Sequence, residues 1–222
     1  QGSQSVGMMQ GLADISIVRE TFAEASDILG QDFWSMVTEP NEALNQTANT
    51  QPLMLTAGVA TWRAWQQASD LNPCLMAGHS LGEYTALVAA DTLSFKDALP
   101  LVRYRAEVMQ GAVAEGVGAM AAILGLDDDT VRQVCAQAAQ GEVVEAVNLN
   151  SPGQVVIAGN KAAVERGMEL AKEKGAKRAL PLPVSVPSHC ALMKPAAAQL
   201  AQYLESVTIA SGQVPVIHNA DV

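Results

Sequence analysis

Cysteine, histidine and aromatic residues are scarce in this 222-residue sequence, which has three cysteines, three histidines and an aromatic content of 4%. Cys74, Cys135 and Cys190 are odd in number, far apart and without a Cys-x-x-Cys spacing. A disulfide framework and a metal site of the zinc type are therefore not expected, and free thiols are typical of a reducing cytoplasm. The few histidines leave few candidates for acid–base chemistry.

Basic residues and long apolar runs are also lacking. The 13 lysines and arginines stand against 23 acidic residues, which gives a formal net charge of −10 and a pI of about 4.6. Since nucleic acids are bound through basic surfaces, no nucleic-acid partner is expected. No apolar run approaches the roughly 20 residues of a membrane span, so no membrane association is expected. Because the sequence lacks an initial methionine and stops just after the strand-like VPVI, we expect an excerpt of a longer chain.

A serine between two glycines is the most informative feature that is present. In CLMAGHSLGEYTALVAA, a short apolar strand pattern leads into Gly78 to Gly82 and then into a helix pattern. A tight turn from strand to helix exposes its central side chain, needs small flanking residues, and leaves the first helical N–H groups unpaired. We predict Ser80 as a nucleophile and the Leu81 N–H as an oxyanion donor. An ordinary loop with two turn glycines is the alternative.

A later segment, Ser94 to Val113, predicts an amphipathic helix that begins with a capping box. Arg105 lies within the apolar stripe of this helix, whereas Arg103 lies on the opposite, solvated face. An arginine on an apolar face needs an anion or a hydrogen-bonded partner, because burying it unpaired is costly. Two interpretations remain open for Arg105: a structural ion pair, or a fork that binds a substrate carboxylate.

The segment from Gly118 to Val184 has a different pattern of predicted elements from the mostly helical first part of the chain. Strand and helix patterns follow one another in the order β-α-β-β-α-β, which is typical of a ferredoxin-like unit. We interpret this segment as a small domain inserted into a larger α/β domain, to which the chain returns near Pro187. The predicted boundaries are residues 116–185 for the insert, and residues 1–115 with 186–222 for the larger domain.

A serine nucleophile needs a base, and His189 is the candidate that remains by elimination. His79 adjoins Ser80, and adjacent side chains diverge on a sharp turn. His218 lies in an apolar segment, where a packed or edge-strand histidine is expected. His189 follows Pro187 at the predicted junction of the two domains, and clefts form at such junctions. No acidic third member is evident from the sequence.

Five separated motifs together resemble the malonyl-CoA:acyl carrier protein transacylases of bacterial type II fatty acid synthesis. They are QGSQ from Gln1, GHSLGEY from Gly78, RYRAEVMQ around Arg105, NSPGQVVIAG from Asn150, and VPSH ending at His189. The resemblance extends over essentially the whole chain. It implies a hydrolase-like α/β domain that carries the ferredoxin-like (βαββαβ) insert.

The resemblance also implies a role for each matching residue. Ser80 is the acylated nucleophile, His189 is its base, and Arg105 binds the malonyl carboxylate, while Gln1 and Leu81 form the oxyanion hole. The implied reaction is ping-pong transfer of a malonyl group from malonyl-CoA to the phosphopantetheine thiol of acyl carrier protein. No metal and no resident cofactor are expected, since coenzyme A and phosphopantetheine enter as carriers of the substrate.

Docking of an acidic carrier protein to an acidic chain requires a local basic patch. Lys174, Lys177 and Arg178 are the candidate residues, near the end of the second helix of the insert. A solvated helix end, where cations favour the helix dipole, is the alternative.

Three other functions share some of these features. A serine esterase or thioesterase of the α/β-hydrolase type has the same turn, uses water as acceptor and has little use for Arg105. A polyketide synthase acyltransferase domain usually has an aromatic residue one or two positions before its histidine, where this chain has Pro187-Ser188. A non-catalytic, carrier-binding fragment would form no acyl adduct at Ser80.

Overall fold

The structure is a computed structural model that describes residues 3–184 and 186–221 of a mixed α/β protein. The chain divides into two compact units, the first made of Gln1–Glu107 with Gln202–Val222 and the second of Val108–Ala201. No helix in the described ranges has the length and apolar content needed to cross a membrane. Cys74, Cys135 and Cys190 are all free thiols.

The helices and strands follow in chain order and are given by their bounds. They are α1 (Ser16–Leu29), α2 (Phe33–Thr38), α3 (Thr47–Ala68), β1 (Met76–Ala77), α4 (Leu81–Ala89), α5 (Phe95–Gly111), β2 (Gly118–Leu124), α6 (Asp128–Ala139), β3 (Val144–Ser151), β4 (Gln154–Asn160), α7 (Lys161–Glu173), β5 (Arg178–Pro181), α8 (Lys194–Leu204) and β6 (Val216–Ile217). Short 3-10 helices cover Gln10–Leu12, Ala43–Asn45, Ala191–Met193 and Asn219–Asp221.

The first unit is built around helices whose apolar faces pack together. Helix α1 buries Val18, Phe22 and Ala25 at helical spacing and packs against α3. It ends at Gly30, whose φ of 65° is readily adopted only by glycine. The capping box predicted at the start of α5 is also present: the Asp97 N–H donates to Ser94 Oγ across 3.0 Å, and that hydroxyl donates to Asp97 Oδ2 across 2.6 Å.

Two short parallel strands place the residues of interest in the first unit. Met76 and Ala77 of β1 pair with Val216 and Ile217 of β6. Because the strands are parallel, the chain leaves both of them at the same edge. The segment after β1 leads into α4 through Ser80, and the segment after β6 begins at His218.

The second unit has one antiparallel sheet with strand order β3-β4-β2-β5. Along the chain, its elements follow the order β-α-β-β-α-β. Helices α6 and α7 pack against each other and against the sheet. The core between them is formed by fully buried apolar side chains, among them Ile123, Val131, Val155, Ile157 and Val164.

Candidate active site

The turn from β1 into α4 gives Ser80 an unusual backbone conformation. Ser80 has φ 52° and ψ −108°, and a positive φ is uncommon for a residue other than glycine. Strained backbone of this kind is enriched at functional sites, where the surrounding structure holds it. The serine is half-buried at the start of α4, so it is only partly accessible.

The two glycines that flank Ser80 differ in their packing. A Cβ added at Gly78 would lie 2.0 Å from the carbonyl carbon and oxygen of Gly82, so this position requires glycine. A Cβ added at Gly82 would have no atom within 4 Å apart from its own surroundings in the helix. The expectation that both flanking glycines avoid a steric clash is therefore correct for Gly78 and wrong for Gly82. The backbone of Gly82 is approached closely by Gly78, while the position of its own missing side chain faces open space.

Arg105 of α5 contacts the Ser80 hydroxyl directly. Its Nη2 donates to Ser80 Oγ across 3.1 Å, and its Nη1 donates to Gln51 Oε1 across 2.7 Å. Gln51 belongs to α3 and is completely buried, so this arm of the guanidinium has a fixed anchor. The guanidinium carbon also lies 5.6 Å from the ring centroid of Tyr84. Three neutral side chains therefore surround the charge of Arg105.

The surroundings of Arg105 bear on its two interpretations. Within residues 3–184 and 186–221, no carboxylate lies at ion-pair distance from the guanidinium. Burial lowers the pKa of Arg105, and Tyr84 acts in the opposite direction. Burial also raises the pKa of Tyr84, which keeps its phenol neutral at physiological pH. The Glu83 carboxylate also acts to raise the pKa of Arg105, but it forms no ion pair with the guanidinium. The described part of the chain therefore gives no support for a structural ion pair at Arg105, and its charge beside Ser80 is suited to binding an anion.

Arg103, two residues earlier, does not lie on a purely solvated face. Its Nη1 donates to the Leu29 carbonyl oxygen across 3.2 Å, and its Nη2 donates to Gln31 Oε1 across 2.5 Å. The side chain is half-buried, so the expectation of a solvated position is wrong. The end of α1 supplies a polar neighbour for this face of α5, which helical periodicity could not reveal.

The first turn of α4 leaves one backbone donor available. The Gly82 N–H donates to the His79 carbonyl oxygen across 2.9 Å, and the Glu83 N–H donates to the Ser80 carbonyl oxygen across 3.1 Å. The Leu81 N–H donates to no acceptor in the described part of the chain. An unpaired N–H at a helix start, next to a nucleophile, is suited to stabilising a developing negative charge.

A network of side chains from α4 and from the segment after β6 contacts the backbone of the Ser80 turn, and no local sequence pattern indicates it. The Ser80 N–H donates to Asn219 Oδ1 across 3.1 Å, and Asn219 Nδ2 donates to the Gly78 carbonyl oxygen across 2.7 Å. Asn219 also donates to Glu83 Oε2 from its main-chain N–H across 2.8 Å and from its Nδ2. His218 Nδ1 lies 2.7 Å from Glu83 Oε1.

His218 is thus an exposed partner of Glu83 that directly follows β6, and it is not packed in an apolar core. The expectation of a packed or edge-strand histidine is therefore wrong, because the side chain is exposed and β6 ends at Ile217. Burial raises the pKa of Glu83, but the hydrogen bonds from Asn219 and His218 outweigh it, so the pKa is lowered overall.

A comparison with protein families identifies the chain. A family model described as "Acyl transferase domain" matches residues 1–220. The chain belongs to the acyl transferase family. The malonyl CoA-acyl carrier protein transacylase of Salmonella typhimurium is 58% identical over 224 residues, and that of Haemophilus influenzae is 59% identical over 225 residues. Both comparisons cover 100% of this chain and 72% of the relative. The family predicted from the five motifs is confirmed.

Solved structures of related proteins have the same fold over the whole chain. An acyl carrier protein S-malonyltransferase from Vibrio cholerae is 59% identical with a TM-score of 0.96, covering 100% of this chain and 73% of that one. A structure described as a type II PKS acyl-carrier protein in complex with its malonyl-transacylase gives a TM-score of 0.98 at 56% identity. It covers 100% of this chain and 72% of the matched chain.

The remaining predicted site residues are placed as follows. His189 lies in the second unit, exposed, in a turn where its φ is 69°, and it follows the buried Pro187. Pro187 packs on β2, because a Cβ added at Gly118 would lie 2.4 Å from its Cγ. Gln1, the second predicted member of the oxyanion hole, lies outside the described residues. Among the residues that are described, no group of three or more His, Cys, Asp or Glu side chains could hold a metal ion.

The predicted basic patch lies at the end of α7 and the start of β5. Lys174, Lys177 and Arg178 are exposed, and none of the ion pairs found in the described ranges involves them. Lys172, by contrast, forms an ion pair with Glu169 one helical turn earlier, with its Nζ 2.8 Å from Oε1.

Four residues of the site were missed from the sequence: Gln51, Glu83, Tyr84 and Asn219. Glu83 and Tyr84 belong to the GHSLGEY motif, but the strand-to-helix turn pattern by itself assigns them no role. Gln51 and Asn219 carried no local signal, because their contacts are to residues far away in the chain.

Proposed function

We propose that this acyl transferase moves the malonyl group of malonyl-CoA to the phosphopantetheine thiol of acyl carrier protein, through a malonyl ester on Ser80. It would thereby supply malonyl-acyl carrier protein for fatty acid synthesis. The observation that carries the proposal is the hydrogen bond from Arg105 to Ser80 Oγ, which puts a cation beside the proposed nucleophile. Relatives at 58–59% identity named as malonyl CoA-acyl carrier protein transacylases support it.

The chemistry of malonyl-CoA fits this pairing. A single methylene separates the malonyl carboxylate from the thioester carbonyl. A carboxylate bound to the guanidinium next to Ser80 therefore brings the thioester carbon near the attacking oxygen. Arg105 is anchored through Gln51, so the cation does not have to be ordered when the substrate arrives. Uncharged acyl groups lack the anion that would compensate this charge, which provides selectivity.

Acylation would proceed through a tetrahedral intermediate. Ser80 gives its proton to His189, and its Oγ forms a bond to the thioester carbon. The negative charge on the former carbonyl oxygen is stabilised by the Leu81 N–H and the amide of Gln1. The C–S bond then breaks, and coenzyme A leaves with the proton from His189. In the second half-reaction the carrier thiol gives its proton to His189, and its sulfur forms a bond to the ester carbon. The bond from that carbon to Ser80 Oγ then breaks, and Ser80 takes the proton back from His189.

The finer architecture is part of the same proposal. We propose that the second unit is a ferredoxin-like domain, supported by its β-α-β-β-α-β order and its sheet order β3-β4-β2-β5. It would be inserted at residues 116–185 into a hydrolase-like α/β domain formed by residues 1–115 and 186–222. The parallel pair of β1 and β6, with the serine turn after β1, supports the hydrolase-like assignment.

The proposed partner and setting follow from the same chemistry. Acyl carrier protein would dock on Lys174, Lys177 and Arg178, whose exposed charges suit an acidic partner. No resident cofactor or metal is required, because coenzyme A and phosphopantetheine bring the acyl group and take it away. The three free thiols agree with action in the cytoplasm.

Mass spectrometry of the intact full-length protein tests the proposal. After treatment with malonyl-CoA, we expect one added malonyl group in the wild type and none in Ser80→Ala. Addition of the phosphopantetheine form of acyl carrier protein should remove the group from Ser80 and place it on the carrier. Release of free malonate without transfer would support the esterase instead, and a folded protein that forms no adduct would contradict catalysis.

A further inference from the structure

One side chain, that of Asn219, bridges the two peptide groups that precede the Ser80 side chain. The Ser80 N–H donates to Asn219 Oδ1, and Asn219 Nδ2 donates to the Gly78 carbonyl oxygen. These neighbours set the orientation of the carboxamide, because only its oxygen can accept from an N–H and only its nitrogen can donate to a carbonyl. Asn219 therefore fixes the peptide planes on the N-terminal side of Ser80.

The peptide plane on the C-terminal side of Ser80 is fixed by α4. The Ser80 carbonyl oxygen accepts from the Glu83 N–H across 3.1 Å in the first turn of that helix. Rotation about the two backbone bonds of Ser80 turns one peptide plane against the other. When both planes are held, the φ of 52° and the direction of the Cα–Cβ bond are determined. A conformation this uncommon persists only where its surroundings hold it in this way.

Asn219 is itself anchored by Glu83. Glu83 Oε2 accepts from both the main-chain N–H and the Nδ2 of Asn219, and His218 Nδ1 contacts Oε1. Two donors on one carboxylate oxygen hold the asparagine more firmly than a single neutral hydrogen bond would, since bonds to an ionised acceptor are stronger. The start of α4 thus contributes the anchor, and the segment after β6 contributes the bridge.

We propose that Asn219 is a positioning residue for the nucleophile: anchored by Glu83, its carboxamide holds the turn that aims Ser80 Oγ at the acyl donor. The inference rests on the proposed role of Ser80, and it adds a residue 139 positions away that sets how fast this hydroxyl reacts. Asn219 holds the backbone of the turn, whereas the proposed carboxylate-binding residue Arg105 contacts the side chains of Ser80 and Gln51. Loss of Asn219 should therefore lower kcat in both half-reactions and leave the KM for malonyl-CoA nearly unchanged.

The test compares asparagine variants of the full-length protein. Asn219→Ala removes the bridge. Asn219→Asp keeps an acceptor for the Ser80 N–H but places a second carboxylate against Glu83, and adding Glu83→Gln removes that repulsion and restores a donor. Asn41→Ala is the matched control, because the Asn41 carboxamide also bridges backbone groups, namely the Met36 and Glu39 carbonyl oxygens and the Leu44 N–H, away from the turn.

Two readouts are taken for each variant, each expressed per folded molecule as determined by thermal unfolding. The first is the acylation rate with malonyl-CoA. The second is the rate of labelling by phenylmethanesulfonyl fluoride, in which the Ser80 Oγ–S bond forms, the S–F bond breaks, and fluoride leaves with the hydroxyl proton. The sulfonyl fluoride has no carboxylate for Arg105 to bind. Its labelling rate therefore reports the orientation and reactivity of the Ser80 hydroxyl independently of carboxylate recognition.

We expect Asn219→Ala to slow both reactions by roughly tenfold to a hundredfold, since small misplacements of a reacting group have effects of this size. Asn41→Ala should react at the wild-type rate even where its unfolding temperature falls. Wild-type rates per folded Asn219→Ala molecule would overturn the inference. If Asn219→Ala does not fold, the test rests on Asn219→Asp with and without Glu83→Gln. A faster reaction in the double variant supports the inference, and equal rates in the single and double variants overturn it.

The same experiment separates this inference from the proposed function. A wild-type protein that is labelled by the sulfonyl fluoride but never acylated by malonyl-CoA contradicts the proposed function. In that case the labelling rates of the Asn219 variants still confirm or overturn the positioning role.

Discussion

Arg105 Nη2 donates a hydrogen bond to Ser80 Oγ across 3.1 Å, and among residues 3–184 and 186–221 no carboxylate forms an ion pair with this guanidinium. The fully buried Gln51 anchors the other arm of the guanidinium. A partly buried charge without an ion-pair partner is held at a cost in stability, because its desolvation is not fully offset by an opposite charge. We expect an anionic substrate to offset that cost when it binds.

Substitution of Arg105 should therefore remove malonyl transfer while leaving the fold intact. We expect Arg105→Ala to lower kcat/KM for malonyl-CoA by a factor on the order of 10², as truncation of one partner of a buried charge pair typically does. Arg105→Lys should have a kcat/KM for malonyl-CoA little higher than that of Arg105→Ala, because a lysine cannot bind a carboxylate through two parallel hydrogen bonds. Steady-state kinetics with malonyl-CoA and acetyl-CoA measure the effect, and the ratio of the two rates should move towards acetyl-CoA.

Arg103→Ala is the matched control for this prediction. Arg103 lies on the same helix, is half-buried, and binds Leu29 and Gln31 instead of the Ser80 hydroxyl. We expect it to lower the unfolding temperature without changing the preference between the two acyl donors. An equal change of preference in both variants would show that selectivity does not come from Arg105.

Gly78→Ala should destabilise the protein severely, because the added methyl group would lie 2.0 Å from the Gly82 backbone and both segments would have to move. We expect a loss of about 2 kcal/mol or more in the free energy of unfolding, as for other substitutions that overfill a packed site. Gly82→Ala is the control, since its methyl group meets no atom within 4 Å and alanine favours a helix. Denaturant unfolding of both variants measures the difference, and similar stabilities would contradict the tight packing at Gly78.

The pH dependence of stability should carry a contribution from Glu83. Burial raises its pKa, but the hydrogen bonds from Asn219 and His218 lower it by more, so its pKa in the folded state is below the usual 4.5. A carboxyl group with a lowered pKa binds protons more weakly when folded. It therefore stabilises the protein above pH 4.5 and loses this contribution as the pH falls through the folded pKa.

The prediction is checked by the difference in unfolding free energy between the wild type and Glu83→Gln. The wild type should be the more stable of the two near neutral pH, and the difference should shrink as the pH falls below 4.5. A difference that stays constant over this range would show that the carboxylate charge is not what stabilises the turn.

Charge reversal at the basic patch should weaken the interaction with acyl carrier protein. We expect the combined change of Lys174, Lys177 and Arg178 to glutamate to raise the KM for the carrier by roughly tenfold or more, with the KM for malonyl-CoA unchanged. The effect should diminish as salt is added, because salt screens exposed charges. Reversal of Lys96, Arg132 and Lys161, which are exposed elsewhere, controls for the change in net charge, because it also replaces three cations by three anions. An unchanged KM for the carrier would remove this patch from the docking surface.

Much of the local structure could be predicted from the sequence. The apolar spacing of α1 and its Gly30 stop, the capping box at Ser94, and the strand-to-helix turn at Ser80 are all present. Each depends on interactions between residues a few positions apart, which a local pattern contains. Strand β1 is shorter than its apolar pattern, because only Met76 and Ala77 find a partner strand.

The pairing of Arg105 with Ser80 was only half predicted. Its place on an apolar face indicated that the arginine needed a polar partner, but the identity of that partner required the packing of α3, α4 and α5. Gln51 lies 54 residues before Arg105 and belongs to an apolar helix, where a glutamine has no local signature. The expected solvation of Arg103 was wrong for the same reason, since the end of α1 covers that position.

What the sequence by itself determined is the strand-to-helix turn, the serine at its centre and the family to which the chain belongs, because motif and periodicity are properties of neighbouring residues. Only the tertiary structure decided what holds that turn. Asn219 reaches Ser80 across 139 positions because β6 pairs in parallel with β1 and brings both strand ends to one edge. Hydrogen bonds between such distant residues depend on which strands align, and no local pattern specifies that alignment.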